Sequence, residues 1–493
     1  MVVISGAMAA DRPNVLFIVV DDLRPEFGAY GAAFVKSPNL DRLAGEGMTF
    51  DRAYCQQAVC SPSRSSLLTG TRPDTTKVWD LTTHFRVALP NVVTLGQHFK
   101  NHGYFVQGMG KIYHGGLDDP PSWSVPWRTP RAPAYALPEN LALHGGMFAG
   151  EPDGEVPKRQ GGEKKASGAA RPGSNGPAFE GADVPDNTFQ DGKVADLAVS
   201  TLNELSKKAE PFFLAVGFVR PHLPFVSPKK YWDLYDPAKI ALAPNKFRPK
   251  GAPAYAFSLP NGLGELPSYH GMPTDSIPDD LARQLKHGYY AAISYTDAQV
   301  GKVLDELDRL GLRENTIVIL WGDHGWKLGE HAAWCKHSNF ENDANAPLLL
   351  SAPGMKKRGV HTNALVEFVD VYPTLAELAG LPLPGHLEGK SFVPLLDDPH
   401  RPWKQAAFSQ YPRNYEGRSL MGYSMRTDRY RFTVWVDRKD HDKVDAIELY
   451  DHQADPQENA NVAGAPENAA VVERLMAQWR AGWQAALPPT AIP

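Results

Sequence analysis

Two apolar runs in this chain end in groups that can ligate a cation or exchange a proton. Asn14 to Val20 is followed by Asp21-Asp22, and Thr316 to Gly322 by Asp323-His324. Both runs are continuous and rich in β-branched residues, the pattern of buried parallel strands. In an open α/β sheet, ligands collect at the carboxyl ends of the strands, so the two pairs can meet at one point. Three carboxylates gathered there would repel one another and push their pKa values up, a conflict that a divalent cation removes. An oxygen-dominated set favours a hard ion such as Ca²⁺ or Mg²⁺ over zinc. Either pair alone is more often a helix cap or a solvated loop; together, at two strand ends, they favour the metal reading.

Cys60 introduces a different chemistry. It directly precedes Ser61-Pro62, where Ser61 can cap a helix and Pro62 suits its first position. A thiol there lies near free backbone N–H groups and the positive end of a helix dipole, which favour anions. Three readings are open at this point: a small buried core cysteine, a thiolate nucleophile with a lowered pKa, and a cysteine converted into another group.

The elements that must position these residues follow from the apolar pattern. A helix opens at Ser37-Pro38, with Ser37 as cap, and closes near Gly45 and Gly47. Further helices are expected over 91–102, 194–208 and 289–310, and strands over 104–109, 211–220 and 346–352. Strands alternating with helices imply a parallel sheet covered on both faces. From 132 to 186 the pattern stops in a Gly-, Pro- and charge-rich stretch, read as a surface insertion with a substrate rim as the alternative. Antiparallel strands over 422–436 and a closing helix over 467–486 suggest a second, smaller unit. The expected organisation is a catalytic domain over 11–400 and a C-terminal α+β subdomain over 401–493.

Composition narrows the function classes. The chain has 493 residues and a formal net charge of -5, which argues against wholesale binding to nucleic acid or an anionic membrane. Three cysteines, Cys55, Cys60 and Cys335, cannot build a disulfide framework, and sequence cannot decide whether Cys55 pairs with Cys335. After the start no apolar run reaches the roughly 18 residues of a membrane span. Residues 1–10, with Ala7-Met8-Ala9, read as the remnant of an export signal, with a frayed apolar terminus as the alternative. Export to a periplasmic, secreted or lysosome-like location is the corresponding expectation.

Cys60-Ser-Pro-Ser-Arg64 followed by Ser-Ser-Leu-Leu-Thr-Gly70 resembles the Cys-x-Pro-Ser-Arg signature of the type I sulfatases, whose cysteine is oxidised after translation to Cα-formylglycine. Asp21-Asp22-Leu-Arg-Pro25, Gly110-Lys111-Ile-Tyr-His114, Arg220-Pro-His222 and Gly322-Asp-His-Gly-Trp326 stand in the order that family uses. The likeness runs from about Asn14 to the tail, where the pattern resembles the iduronate-2-sulfatases in particular.

The resemblance implies an alkaline-phosphatase-like α/β fold, with a large mainly parallel sheet flanked by helices and a smaller C-terminal α+β domain carrying a small antiparallel sheet. It implies one Ca²⁺ held by Asp21, Asp22, Asp323, His324 and the formylglycine at Cys60. The hydrated aldehyde would take the sulfate on one hydroxyl and expel it through the other. Arg64 would orient the diol, Lys111 and His114 would contact diol and sulfate with His114 as base, and His222 and Lys336 would bind sulfate and protonate the leaving oxygen. Implied partners are a sulfated oligosaccharide or polysaccharide and a formylglycine-generating maturation enzyme. The chain departs from the iduronate-2-sulfatase pattern at His84, Lys327, Cys335 and His337, so the resemblance implies sulfate-ester cleavage and leaves the sugar open. His84, Trp326 and His337 are the expected substrate rim; Trp79, Trp326 and Trp334 offer rings for sugar stacking, with core packing as the alternative. Rival readings are a phosphate or phosphonate monoester hydrolase on the same scaffold and a non-catalytic glycan-binding protein.

Overall fold

The computed structural model describes residues 12–144, 148–149, 173, 175–258 and 261–488. The expected signal remnant at 1–10 and the middle of the 132–186 stretch lie outside the described residues.

Seven strands form the large sheet: β1 (Asn14–Val20), β2 (Met48–Phe50), β3 (Phe105–Gly110), β4 (Phe212–Phe218), β5 (Thr316–Gly322), β6 (Leu348–Ser351) and β7 (Val360–Thr362), in the order β7-β2-β6-β5-β1-β4-β3. β3, β4, β1 and β5 are adjacent and mutually parallel. Alternate residues of these strands feed two cores, as the pleat requires. Leu16, Ile18 and Val20 face a layer built by helices α1 (Pro38–Glu46), α3 (Gln190–Leu205) and α4 (Asp279–Arg309). Val15, Phe17 and Val19 face the layer that contains α2 (Cys60–Thr69). Burying both faces explains why β1 and β5 read as unbroken apolar runs.

The C-terminal part carries four antiparallel strands, β8 (Ala407–Tyr415), β9 (Arg418–Arg426), β10 (Tyr430–Asp437) and β11 (Val444–Asp451), in sequential order. Helix α5 (Ala469–Ala485) packs its Leu475 into the Met425, Phe432, Val434 and Leu449 core. Among the described residues no helix is long and apolar enough to cross a membrane.

Several expectations are corrected. The run at 346–352 is antiparallel to β5, and the connection between them carries only the single-turn α-helix Glu341–Ala344. Helix α4 begins at Asp279, ten residues before the apolar period becomes visible, with Asp279 and Asp280 in its first turn. The helix expected over 91–102 covers only Leu95–Asn101, where Thr94 Oγ1 accepts the Gln97 N–H at 3.3 Å. Ser37 stands at the N-cap of α1 with Pro38 opening the helix, as expected, but its hydroxyl makes no cap bond; it accepts from Gly28 N at 3.1 Å and turns to Asp41. The described flanks of the 132–186 stretch are tied into the fold. Ala134 and Tyr135 are buried, and Phe179–Ala182 pairs with Phe225–Pro228.

Candidate active site

The carboxyl ends of four neighbouring parallel strands deliver the site. β1 runs into Asp21-Asp22, β5 into Asp323-His324, β3 into Lys111, and β4 into the loop that bears His222. Backbone bonds cross-link these ends: Asp21 N to Phe218 O at 3.1 Å, Asp323 N to Val20 O at 3.3 Å, Lys111 N to Gly217 O at 3.0 Å. The β3 and β4 ends approach so closely that a Cβ on Gly217 would lie 2.2 Å from Lys111 O, a distance only glycine allows. Asp191, in the first turn of α3, accepts the N–H groups of Val219 and Arg220 at 2.8 and 2.7 Å and so fixes the His222 loop.

Helix α2 brings Cys60 into the same place. The helix begins at Cys60 itself with Val59 as cap, so Ser61 is not the cap and Cys60 does not precede the helix. Its N-terminus is set by tertiary contacts: Ser63 Oγ donates to Asp323 O, and Arg64 donates from Nε to Asp323 and from Nη2 to Asp21, each at 2.9 Å. Arg64 Nη1 donates to the carbonyls of Lys111 and Ile112. All three guanidinium nitrogens are thus committed to carboxylates and backbone, so Arg64 organises the ligand groups instead of pointing its donors at Cys60. It is wholly buried, as are both partners.

Asp21, Cys60, Asp323 and His324 offer ligand atoms within 4.8 Å of one another, and so do Asp21, Asp22, Cys60 and His222. His324 Nδ1 bonds the Gly325 carbonyl at 2.9 Å, which assigns its proton to Nδ1 and leaves the Nε2 lone pair facing the cluster. That nitrogen lies 3.5 Å from Cys60 Sγ and 3.3 Å from Asp22 Oδ1. Three buried carboxylates and one imidazole of fixed tautomer suit a hard divalent cation. Lys111 bonds Asp21, and Lys336 Nζ lies 2.7 and 3.0 Å from the Asp22 oxygens. The two lysines also reach Cys60 Sγ, at 3.9 and 3.7 Å.

Burial pushes Asp21 up, but Lys111 and Arg64 hold it well below the usual carboxylate range. Burial carries Asp22 well above that range, because Lys336 offsets only part of the cost and Asp21, Glu265 and Asp323 add repulsion. Burial and Asp21 raise the Cys60 thiol, which speaks against a free thiolate there. His222 does not keep an unperturbed pKa; burial, with Lys336 and Lys111, takes it well down. Its Nδ1 bonds Leu223 O at 2.6 Å, so Nε2 is the nitrogen facing Asp22. Burial and Lys111 take His114 down to about 3, and its buried Nδ1 has no partner. Lys111 and His114 also line a cavity of about 420 Å³ with Trp127 and Gln190.

The expected rim is only partly assembled. Trp326 is fully buried, stacked on Tyr289 with ring centroids 6.3 Å apart and with Lys336 Nζ 5.0 Å from its own, so it is core and not a sugar platform. Trp334 is buried likewise. Trp79 is half-buried between Lys77 and Arg438. His84 is engaged in a turn, its Nδ1 accepting from Arg86 N at 3.1 Å. His337 bonds Tyr411 OH at 2.6 Å beside Lys336. Cys55, Cys60 and Cys335 are all free. Sequence reasoning missed Ser63 and Glu265, the latter 3.6 Å from Lys336 Nζ and 4.0 Å from His222 Nε2. A third group of possible ligands, Glu341, His452 and Glu458, is already compensated by Arg426 and Arg431.

A family model described as Sulfatase matches residues 13–381, and one described as N-sulphoglucosamine sulphohydrolase, C-terminal, matches residues 329–483. The chain is 36% identical to the iduronate 2-sulfatase of Mus musculus, over 95% of this chain and 94% of that protein. Among solved structures it resembles the phosphonate monoester hydrolase SpPMH from Silicibacter pomeroyi, with a TM-score of 0.75, 23% identity and 98% and 97% of the two chains covered. It also resembles BT4656, solved with its substrate D-glucosamine-2-N,6-O-disulfate, with a TM-score of 0.72, 21% identity and 96% and 99% coverage. At these identities the two structures speak for the fold alone, which is the alkaline-phosphatase-like one.

Proposed function

This chain belongs to the sulfatase family and is a sulfuric ester hydrolase, and from that premise we propose that it removes sulfate from a sulfated carbohydrate through an aldehyde formed at Cys60 and a bound Ca²⁺. The observation that carries the proposal is the setting of Cys60 Sγ, which lies 3.5 Å from His324 Nε2, 3.9 Å from Lys111 Nζ and 3.7 Å from Lys336 Nζ. A formylglycine at this position supplies, once hydrated, a pair of hydroxyls, one to take the sulfuryl group and one to release it. Asp21, Asp22, Asp323 and His324 would hold the cation, which supplies charge neutralisation and polarisation of sulfate oxygens.

The chain's own residues do the rest. Lys111 and Lys336 flank Cys60 and present ammonium groups to the oxygens of an incoming sulfate. His114 is held neutral and so can accept a proton from the nucleophile side. On the other side His222 and Lys336 face the leaving oxygen, and an anionic substrate raises the proton affinity of His222 Nε2 towards the donor role. Arg64 holds Asp21 and Asp323 apart at fixed geometry. All of these residues lie in the part assigned as the catalytic domain, 11–400. The named relative supports a glycosaminoglycan-type substrate. A formylglycine-generating enzyme is the partner the proposal requires.

The test is a mass spectrum of the tryptic peptide Ala53–Arg64 from purified protein, paired with sulfate release from a panel of sulfated oligosaccharides. An aldehyde at Cys60 with release from one sugar class is expected. Full activity with an unmodified thiol, or in Cys60→Ala, overturns the mechanism.

A further inference from the structure

The loop over residues 261–266 brings a fourth, partly exposed carboxylate to the edge of the site. It is laid against the segment that bears Lys336: Trp334 N donates to Gly262 O at 2.8 Å, and Cys335 Sγ to Leu263 O at 3.5 Å. Gly264 has φ +59, and a Cβ there would lie 2.5 Å from Cys335 Cβ, so only glycine lets the loop come this close. The next residue, Glu265, is thereby delivered beside Lys336 and His222. Its Oε1 lies 3.6 Å from Lys336 Nζ and 4.0 Å from His222 Nε2, while 29% of the side chain stays exposed. That oxygen is itself shielded from solvent and has no hydrogen-bond partner.

A shielded carboxylate oxygen without a donor is costly, and a ligand that brings a donor relieves it. A ligand that brings a second carboxylate instead sets like charges side by side in a poorly solvated place. Lys336 does not rescue such a ligand, because its ammonium, already 2.7 Å from Asp22 and 3.6 Å from Glu265, is the one that takes the sulfate itself.

We propose that Glu265 is a specificity-determining residue, which accepts a hydrogen bond from a hydroxyl or ammonium group of the sulfated sugar and excludes sugars with a ring carboxylate at that position. The inference rests on the reading of this site as a carbohydrate sulfatase and names its substrate class: sulfated neutral sugars or hexosamines in preference to sulfated uronates. It separates this chain from what the name of its iduronate-acting relative would suggest.

The test compares kcat/KM of the wild type, Glu265→Gln and Glu265→Asp on a glucosamine 6-O-sulfate and on a uronate 2-O-sulfate. The wild type is expected to favour glucosamine. Glu265→Gln should shift the ratio towards the uronate by about tenfold or more, chiefly through KM, and Glu265→Asp should restore most of the preference. Affinities of both sulfated sugars for Cys60→Ala, measured by calorimetry with and without Glu265→Gln, should show the same inversion without turnover. A ratio that stays within about twofold in both measurements overturns the role of Glu265. Failure of the underlying reading looks different: wild type with the aldehyde verified at Cys60 that releases no sulfate from either sugar or from an aryl sulfate overturns both.

Discussion

Replacing Arg64 with alanine tests whether the carboxylate cluster is held as described. Arg64 is wholly buried and contacts Asp21 and Asp323 at 2.9 Å each, with further donors on the carbonyls of Lys111 and Ile112. Removing one partner of a buried ion pair costs about 3–5 kcal/mol, because the other charge is left uncompensated. Here Asp21 keeps Lys111, whereas Asp323 keeps only the N–H of Asp22, at 3.0 Å, and neutral His324. One carboxylate is therefore stranded, not two, and the lower end, ~3 kcal/mol, is expected. Urea denaturation followed by tryptophan fluorescence reads this directly. The same titration with saturating Ca²⁺ should narrow the gap between variant and wild type, since a bound cation replaces part of the missing charge. Arg64→Lys should recover less than half, because one ammonium cannot bridge both carboxylates in the plane that the guanidinium spans. A loss below ~1 kcal/mol without added metal would refute the reasoning.

Chelation should abolish turnover and lower the unfolding midpoint, with both restored by Ca²⁺; turnover indifferent to chelator would argue against the Asp21, Asp22 and Asp323 site. Gly217→Ala forces a Cβ to 2.2 Å from Lys111 O. Backbone cannot yield as a side-chain tip would, so a stability loss of about 1–3 kcal/mol and a fall in kcat of at least about tenfold are expected, measured at equal aldehyde content. Glu448 is fully buried and its pKa is pushed up to about 7 by desolvation, although Trp435 Nε1 and Tyr450 OH both donate to it at 2.6 Å. The folded state then binds a proton more tightly than the unfolded state does. Stability falls as pH rises from about 4.5 to about 7, by at most ~3 kcal/mol, and is flat above. Glu448→Gln should reduce that slope in urea midpoints taken at pH 5 and pH 8, the remainder coming from Asp297, which burial likewise pushes up to about 7, and an unchanged slope would sink the assignment.

The convergence of the possible metal ligands was legible because they sit at the ends of apolar runs, and strand ends in a parallel sheet point to one place. Asp21-Asp22 and Asp323-His324 needed nothing but periodicity to be paired, and the Cys60 motif brought Arg64, Lys111 and His222 with it by resemblance. What failed was whatever depends on distant packing. Ser61 looked like a cap by local rules, yet the start of α2 is set by Ser63 and Arg64 reaching a strand end some 260 residues away. Trp326 looked like a platform for sugar until Tyr289 of α4 covered it. His222 looked ordinary because burial, which moves its pKa, leaves no mark in the neighbouring sequence.

Glu265 shows the same limit at the point where it matters for function. Its loop has no period to read, and its approach to Lys336 depends on Gly264 meeting Cys335, two small residues that carry no chemical signal alone. The carboxylates, Lys111 and His222 are delivered by four strand ends and are therefore readable. The charge facing the sugar sits on one loop, whose exchange can alter the substrate without touching the cluster. A chain can therefore be 36% identical to a relative named for acting on iduronate, and still turn a carboxylate towards the sugar, where a uronate would meet it.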